Sequence, residues 1–221
     1  MDFYIRGWSV WTPDTDPIPA LSDIPAMTRR RLSKLTKMAF HTALELDKHH
    51  NIPCIFASRH GDLHKTVELL QGIAGHQSLS PTLFALSVHN AVSGQYSIYT
   101  RNQADSNAIA AGENSLHYAI LEAAARLITE PELTDILVVY ADEPVPEPYP
   151  LFCQEPHIPV ALALLLSSQQ GDAVRLQRYA TTEPSLSQQQ NQALALLPFL
   201  RQDSSHSVIT AADQRWEWHR D

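Results

Sequence analysis

The sequence predicts an α/β fold in which a mixed, mostly parallel sheet is covered by helices on both faces. Three observations support this prediction. Apolar runs of strand length alternate with longer segments of helical periodicity, as they do in βα units. Several of these runs are continuous rather than alternating, which is typical of strands buried on both faces. The 221 residues are enough for one sizeable domain with a buried core.

Residues 2–59 predict a strand, a loop, a helix and a second strand. The run "DFYIRGWSVW" is the first strand, and a loop rich in proline and aspartate follows it. Thr28 is a suitable N-cap for a helix across "RRRLSKLTKMAFHTALELDKHH", where apolar residues recur at helical spacing. The apolar run "IPCIFASR" is the second strand, and we expect its Cys54 to be a buried thiol.

Two helical segments follow the second strand. The segment "GDLHKTVELLQGIAG" predicts a helix that ends at glycine and is capped by Asp62. A metal or catalytic site of His60, Asp62 and His64 is the alternative, but these side chains would diverge at a strand–helix turn. The segment "SPTLFALSVHNAVSGQYSIYT" predicts a helix weakened by its glycine. Its polar pair, His89 and Asn90, predicts an internal hydrogen-bond network or a subunit contact.

The segment "SNAIAAGENSLHYAILEAAARLI" predicts a short strand over Ser106–Ala111, a turn at glycine and a long amphipathic helix. In α/β enzymes such a corner often carries a nucleophile, but here Glu113 occupies it. A carboxylate in the first turn of a helix is favoured by the free N–H groups and the helix dipole, by about 0.3–1 kcal/mol. "GENS" is not a nucleophile-elbow motif, and the seven glycines form no phosphate-binding loop.

The remainder of the chain predicts further strands and one helix. "TDILVVYADEP" and "IPVALALLLSS" are strands of the buried type, and a proline-rich loop that contains Cys153 separates them. The tail predicts a possible strand in "AVRLQRYA", a helix in "LSQQQNQALALLPFLRQ" and a tryptophan-rich end, "QRWEWHR". No internal repeat is visible.

Composition excludes several classes of function. A formal charge of −8 without a clustered basic face argues against a nucleic-acid partner. Two cysteines are too few for a disulfide scaffold, and no ligand spacing predicts a metal or a cofactor. No apolar run approaches the ~20 residues of a membrane span, and no signal peptide is visible, so we expect a cytoplasmic protein. The basic run Arg29–Lys37 is either a solvated helix start or a docking patch for an acidic partner.

Three phrases in the same order carry a resemblance to a known family: "SRHGDLHKTVELLQGI", "LSPTLFALSVHNAVSGQYSI" and "SNAIAAGENSLHYAILEA". They resemble the N-terminal half of a β-ketoacyl synthase, a condensing enzyme of the thiolase fold. Aligned through "YAILEA", Ala111, Gly112 and Glu113 fall at the threonine, alanine and catalytic cysteine of the family's nucleophile phrase. The resemblance covers about Asp2 to Ser168 and implies half of a thiolase-like fold.

Two departures from the family limit what the resemblance implies about catalysis. Glu113 replaces the cysteine, and a carboxylate cannot form the acyl thioester that condensation needs. The second half of the family's fold supplies two histidines and a lysine, and no residue here can be matched to them. This pattern resembles the β-ketoacyl synthase N-terminal-like subunits of aryl-polyene clusters. Those are similar to chain-length factors, which also lack the cysteine and pair with an active synthase.

The resemblance therefore implies a subunit without catalytic residues or cofactor. It would form a heterodimer with a full-length β-ketoacyl synthase, in aryl-polyene or fatty-acid-like polyketide biosynthesis, and reach acyl carrier protein through that complex. Residues 1–221 would form one domain, in which the segment 169–221 is less familiar. Phe84, His89, Asn90 and Tyr96 are the candidates for closing the partner's acyl tunnel, and plain interface packing is an equal alternative.

Two other functions stay open at the level of sequence. One is a small α/β hydrolase or thioesterase that uses Ser115 or Ser87 with a histidine. The other is a homodimeric scaffold protein without a ligand pocket.

Overall fold

A computed structural model describes residues 1–14, 18–48, 51–151, 158–182 and 191–220. Cys153 and most of the polar segment before the last helix lie outside these residues. The strands are β1 (Asp2–Trp11), β2 (Cys54–Ala57), β3 (Ser106–Ile109), β4 (Asp135–Asp142), β5 (Val160–Ser167), β6 (Asp172–Ala180), β7 (His206–Ala211) and β8 (Gln214–Arg220). The α-helices are α1 (Ala26–Arg29), α2 (Lys34–Leu46), α3 (Leu63–Ala74), α4 (Pro81–Ser87), α5 (Ala91–Thr100), α6 (Ser115–Thr129) and α7 (Gln192–Leu200).

All eight strands form one sheet in the order β3-β2-β4-β5-β1-β6-β8-β7. The predicted mixed α/β class is confirmed, but the sheet is less parallel than the sequence predicts. Among the described strands, β2 is parallel to β3 and β4, and the other five neighbouring pairs are antiparallel. The reason is that β5 lies between β4 and β1 and runs against both. Alternation along the sequence shows where strands occur, but it does not show this insertion.

Helices cover both faces of the sheet, as predicted. On one face α6 and α7 pack over a core that includes Leu116, Phe199 and Trp218. On the other face α2 and α5 pack over a core that includes Phe40 and Tyr96. The strands between them have continuous buried runs; all eight residues of β5 are buried. This double cover explains why the central strands have no polar alternation.

The basic run lies at the start of α2 rather than inside one long helix. The predicted cap, Thr28, is wrong: the helix begins at Lys34, and the Ser33 hydroxyl accepts a hydrogen bond from the Thr36 backbone N–H. Thr28 belongs to the separate short helix α1. Arg30 and Arg31 lie between the two helices and are exposed.

The predicted helix over residues 81–100 is two helices. The break lies at Val88, which is extended with ψ 148°, and α5 restarts with Asn90 as its N-cap residue. The predicted weak point, the glycine inside α5, remains helical. The Nε2 atom of His89 lies 2.9 Å from the Ser58 carbonyl oxygen. This contact ties the break to the end of β2, and it confirms an internal hydrogen bond for His89.

The C-terminal segment extends the sheet instead of forming a separate layer. β6, β8 and β7 continue the sheet beyond β1. The tryptophan-rich end is β8, where alternation places Trp216 and Trp218 on the buried face. β7 was not predicted from the sequence. Cys54 is buried and free, and burial raises the pKa of its thiol. Among the described helices, none has the length and the apolar composition that a membrane span requires.

Candidate functional site

Three loops meet at one end of the sheet, because parallel strands end at the same edge. β2, β3 and β4 are parallel neighbours, and Ala57 lies opposite both Ile109 and Tyr140 in their registers. The loops that follow these strands carry Ser58 and Arg59, Ala111–Asn114, and Glu143. In open α/β sheets this edge is the usual position of a functional site.

The turn between β3 and α6 is a tight strand–turn–helix corner. Gly112 has φ +58°, a left-handed conformation that favours glycine. The Ser115 hydroxyl accepts from the Ala111 backbone N–H at 2.9 Å and donates to the Gly112 carbonyl at 2.7 Å. The corner is therefore fixed by its own local hydrogen bonds, and it presents the side chain of Glu113 at the end of the sheet.

The carboxylate of Glu113 contacts other residues of the same chain. It lies one residue before the N-cap position of α6, which is Asn114, so the predicted place in the first helical turn is wrong by two residues. Its Oε2 atom accepts a hydrogen bond from the Ala212 backbone N–H at 2.9 Å, in the turn between β7 and β8. A nitrogen of the Arg59 guanidinium lies 3.9 Å from its Oε1 atom. The Glu113 carboxylate is therefore held mainly by its hydrogen bond to the hairpin of β7 and β8, and not by the dipole of α6.

A buried network lies beside this corner, at the end of β4. Asp142 accepts hydrogen bonds from the Ser58 hydroxyl (2.7 Å), the Arg59 backbone N–H (2.9 Å) and the Tyr140 hydroxyl (2.5 Å). Asn191 donates to the Tyr140 oxygen at 3.0 Å. Burial raises the pKa of the Asp142 carboxyl, and the bonds from Tyr140 and Ser58 oppose that effect. The network holds the loop after β2, and with it Arg59, in place.

The start of α6 is also bound to the β7–β8 hairpin by a polar cluster inside the core. Asn114 donates to the Ala211 carbonyl at 3.2 Å and accepts from the Trp216 indole N–H at 2.8 Å. His117 is fully buried, and its ring stacks on Trp216 with 4.8 Å between centroids. The Trp218 indole N–H donates to its Nε2 atom at 3.1 Å.

Those contacts fix the tautomer of His117. An indole N–H can only donate, so Nε2 accepts and the ring proton is on Nδ1. Nδ1 then donates to the Gln192 Oε1 atom at 2.7 Å. Burial lowers the pKa of His117 to about 4, against the smaller effect of the Gln192 hydrogen bond. Sequence reasoning missed this cluster, although the polar Asn114 and His117 on an apolar helix were a visible signal.

The four predicted pocket residues differ in how far they are exposed. Phe84 is 61% exposed on α4, and Asn90 is also exposed. His89 is half-buried and lines a narrow apolar cleft with Phe56 and Val139. Tyr96 is 1% exposed, and its hydroxyl donates to the Asp47 carboxylate at 2.9 Å. It is a core residue rather than the pocket residue that the sequence predicts, because the face of α5 that carries it packs on the sheet.

The cleft beside His89 has a cavity volume of about 20 Å³, room for about one water molecule. An acyl chain therefore does not fit into it in this conformation. Metal ligation is possible elsewhere in the described part of the chain: His206, Glu217 and His219 lie together on the terminal hairpin.

The free edge of the sheet lies beside an exposed apolar surface. β3 is the last of the described strands at this end, and Ser106 and Asn107 are exposed on it. α5 packs against β2 and β3, and its outer side carries Gly94 and Ile98, the latter 81% exposed. A strand at the edge of a sheet beside a large exposed apolar side chain is typical of a protein–protein interface. We call β3 together with the outer side of α5 the edge surface.

The two serines of the hydrolase alternative have no hydrogen bond to a histidine within the described residues. Ser115 is buried, and its hydroxyl donates to the Gly112 carbonyl. The Ser87 hydroxyl donates to the Phe84 carbonyl at 2.9 Å. A serine nucleophile needs a base to accept its proton, and backbone carbonyls cannot serve as one.

Comparison with solved structures relates the fold to ketosynthases. A chain of the ketosynthase (ApeO) in complex with its chain length factor (ApeC) from Xenorhabdus doucetiae is 25% identical, with a TM-score of 0.86 and 100% of both chains covered. The ishigamide ketosynthase/chain length factor is 14% identical, with a TM-score of 0.60, covering 82% of this chain and 68% of that one. A β-ketoacyl synthase from Burkholderia phymatum STM815 is 13% identical, with a TM-score of 0.58, covering 78% and 54%.

The last two structures are related to this chain by fold alone. No curated protein sequence matches the chain. The model of the family described as "Beta-ketoacyl synthase, N-terminal domain" matches residues 7–219, nearly the whole sequence. The chain therefore belongs to the β-ketoacyl synthase N-terminal domain family.

Proposed function

We propose that this protein is a non-catalytic, chain-length-factor-like subunit that pairs with a full-length β-ketoacyl synthase. The observation that carries the proposal is Glu113. By resemblance it occupies the position of the catalytic cysteine, and its carboxylate is engaged by the backbone of Ala212. A carboxylate cannot form the thioester intermediate. The active cysteine must then come from a partner, and the chain is similar to one from a complex of a ketosynthase with its chain length factor.

The edge surface is the part of the molecule that suits such a partner. A partner strand could pair along the outer edge of β3, and the same contact would cover Ile98. We expect an obligate interface of about 2,000 Å² or more. We infer that residues 1–221 act as one domain in this assembly, because β6, β7 and β8 extend the common sheet.

Acyl carrier protein belongs to the proposal as the source of the acyl groups. Carrier proteins would reach the partner's active site, and the exposed Arg30 and Arg31 offer positive charge to an acidic partner. The product, an aryl polyene or a related fatty-acid-like polyketide, and the cytoplasmic location are further parts of the proposal. A homodimeric scaffold predicts instead that the chain pairs with itself, which the mass of the purified assembly distinguishes.

Glu113→Gln tests whether the corner has any chemical role. Glutamine keeps the shape and can still accept from the Ala212 N–H. We expect the reconstituted pair to form product at a rate within a few-fold of wild type. A structural role also fits the chemistry, because a malonyl thioester carries its own carboxylate and two like charges repel strongly in a desolvated pocket. The measurement is product formation per assembled complex.

Glu113→Ala is the companion variant. It removes the acceptor, so we expect it to lower the free energy of unfolding by about 1 kcal/mol, more than the glutamine variant does. If Glu113→Gln loses about a hundredfold in turnover while the complex still assembles, the carboxylate is a catalytic group and the proposal is wrong.

Phe84→Ala tests the tunnel role that the resemblance assigns. Phe84 is mostly exposed in the isolated chain, so its removal will leave the fold intact, within about 0.5 kcal/mol. If Phe84 closes the far end of the partner's tunnel, the products will become longer, as mass spectrometry of the released chains can measure. An unchanged distribution of products from a fully assembled complex would make Phe84 an interface residue only.

A further inference from the structure

The β7–β8 hairpin carries polar side chains on the face opposite its buried tryptophans. His206 and His219 lie directly opposite each other in the strand register. Glu217 is two residues before His219, so both side chains point to the same side of the sheet. Trp216 and Trp218, which alternate with them, are buried on the other side. His206 is exposed, so the cluster is open to solvent.

The three side chains are close enough to share an ion. The imidazole rings of His206 and His219 stack with 4.6 Å between centroids. The Nε2 atom of His219 lies 3.7 Å from the Oε2 atom of Glu217. One ligand atom from each of the three residues lies within 4.8 Å of the other two. The described residues contain no other such group of three.

We propose that His206, Glu217 and His219 bind a divalent transition-metal ion of the zinc type. Two imidazole nitrogens and one carboxylate oxygen are a donor set that Zn²⁺ accepts, with bonds of about 2.0–2.2 Å. Ligand atoms around a tetrahedral ion of this kind lie about 3.3 Å apart. The distances between the three ligand atoms must therefore shorten by about 1 Å, and rotation of the exposed His206 side chain allows this. Water would fill the remaining position.

The charges around the cluster are compatible with a cation. A nitrogen of the Arg215 guanidinium lies 2.8 Å from the Oε1 atom of Glu217. This contact leaves Oε2 toward His219, in the manner of an outer-shell group that orients a ligand. Arg175 lies opposite His219 on β6, and it pairs with Asp2 at 2.7 Å. Both guanidinium groups near the cluster thus have a carboxylate partner.

Metal binding would clamp the open end of the hairpin. His206 and His219 join the first residue of β7 to the end of β8, whereas the opposite end of the hairpin holds Glu113 through Ala212. An ion that binds only the folded hairpin stabilises it by mass action. The site is separate from the edge surface, because β7 and β3 are at opposite ends of the sheet.

The test is titration of the metal-free full-length chain, alone or in its purified complex, with zinc sulfate in a calorimeter. We expect each copy of the chain to bind one zinc ion. His206→Ala and His219→Ala will each weaken that binding by at least about tenfold, and zinc will raise the thermal midpoint of the wild type more than that of either variant. The matched control is His41→Gln, because the Nε2 atom of His41 also lies near a glutamate, 3.5 Å from the Oε1 atom of Glu45. No second histidine of the described residues joins that pair in a group of three.

X-ray absorption at the zinc edge distinguishes this site from a thiolate site. We expect nitrogen and oxygen neighbours at about 2.0–2.2 Å and no sulfur at about 2.3 Å. A wild-type chain that takes up no zinc, variants that bind it as the wild type does, or a sulfur neighbour would each overturn the proposal. Circular dichroism without zinc shows whether each variant folds. If one does not, the other variants and the absorption spectrum of the wild type decide.

Discussion

We expect the Ile98→Glu variant to fold as the wild type does and to lose the ketosynthase partner. Ile98 is 81% exposed in the isolated chain, so the substitution changes the free energy of unfolding by no more than about 0.5 kcal/mol. In the complex the new carboxylate would be buried without a partner, which costs several kcal/mol. Each 1.4 kcal/mol is about a tenfold change in affinity, so we expect a loss of at least about a hundredfold.

Co-purification and the dissociation constant of the pair measure this effect. Ile128→Glu is the matched control, because Ile128 is 60% exposed but lies near Phe3 and Val174, away from β3. We expect that variant to retain the partner. An Ile98→Glu variant that binds the ketosynthase with wild-type affinity would place the interface elsewhere on the molecule. A stable, monodisperse monomer of the wild-type chain would also count against an obligate pair.

The second large effect is the acid sensitivity of the core around His117. Its pKa is about 4 in the folded chain against an ordinary value of 6.5. The unfolded chain therefore binds the proton more readily between these values. The stability that the neutral ring provides is fully present above pH 6.5 and is lost as the pH falls toward 4. At about 1.4 kcal/mol for each pH unit, the loss is about 3 kcal/mol.

Structure explains why protonation is costly here. A proton on Nε2 would face the Trp218 indole N–H, which also carries a proton, so a hydrogen bond would be replaced by a repulsion inside the core. Asp142 and Glu143 act in the opposite direction. Burial raises the pKa of each carboxyl, so their contribution falls as the pH rises. The contribution of His117 is therefore measured by comparing the pH dependence of stability of the wild type with that of a His117 variant.

Urea unfolding from pH 7.5 to 4 measures this prediction, in buffer that contains a chelator. His117→Gln keeps groups that can reach Gln192 and Trp218 but has no ionisable ring. We expect it to be less stable than the wild type at pH 7.5 and to lose about 3 kcal/mol less between pH 6.5 and 4. His41→Gln, on α2 outside this core, is the control for the loss of a histidine elsewhere. Parallel curves for wild type and His117→Gln would show that His117 is not the acid-sensitive group.

The sequence predicted those helices and strands that depend on neighbouring residues alone. The apolar runs of β2, β4 and β5 and the Asp62 cap of α3 are in place. The break at Val88 was not predicted, because it depends on His89 reaching Ser58 on another element. The insertion of β5 between β4 and β1 is equally invisible in a list of elements.

The candidate site shows the same division. Placing Glu113 at the strand–turn–helix corner needed only the spacing of its neighbours. Its partner, Ala212, is 99 positions away and belongs to a hairpin whose first strand the sequence does not suggest. Tyr96 was misplaced for a related reason: an apolar helix shows which residues avoid water, but not whether the sheet or a partner covers them.

The terminal hairpin also determines when the protein can finish folding. Phe3, in the first strand, packs edge-on against Trp218 with 6.2 Å between ring centroids, so one apolar cluster joins the first and the last strand in chain order. On the ribosome, the faces of β6 and α6 stay open to water until residues 214–220 leave the exit tunnel. Domains generally fold as units during synthesis, and here the unit is incomplete until β8 is available. A nascent chain stalled at Ala211 would therefore present an unfinished core to chaperones and proteases.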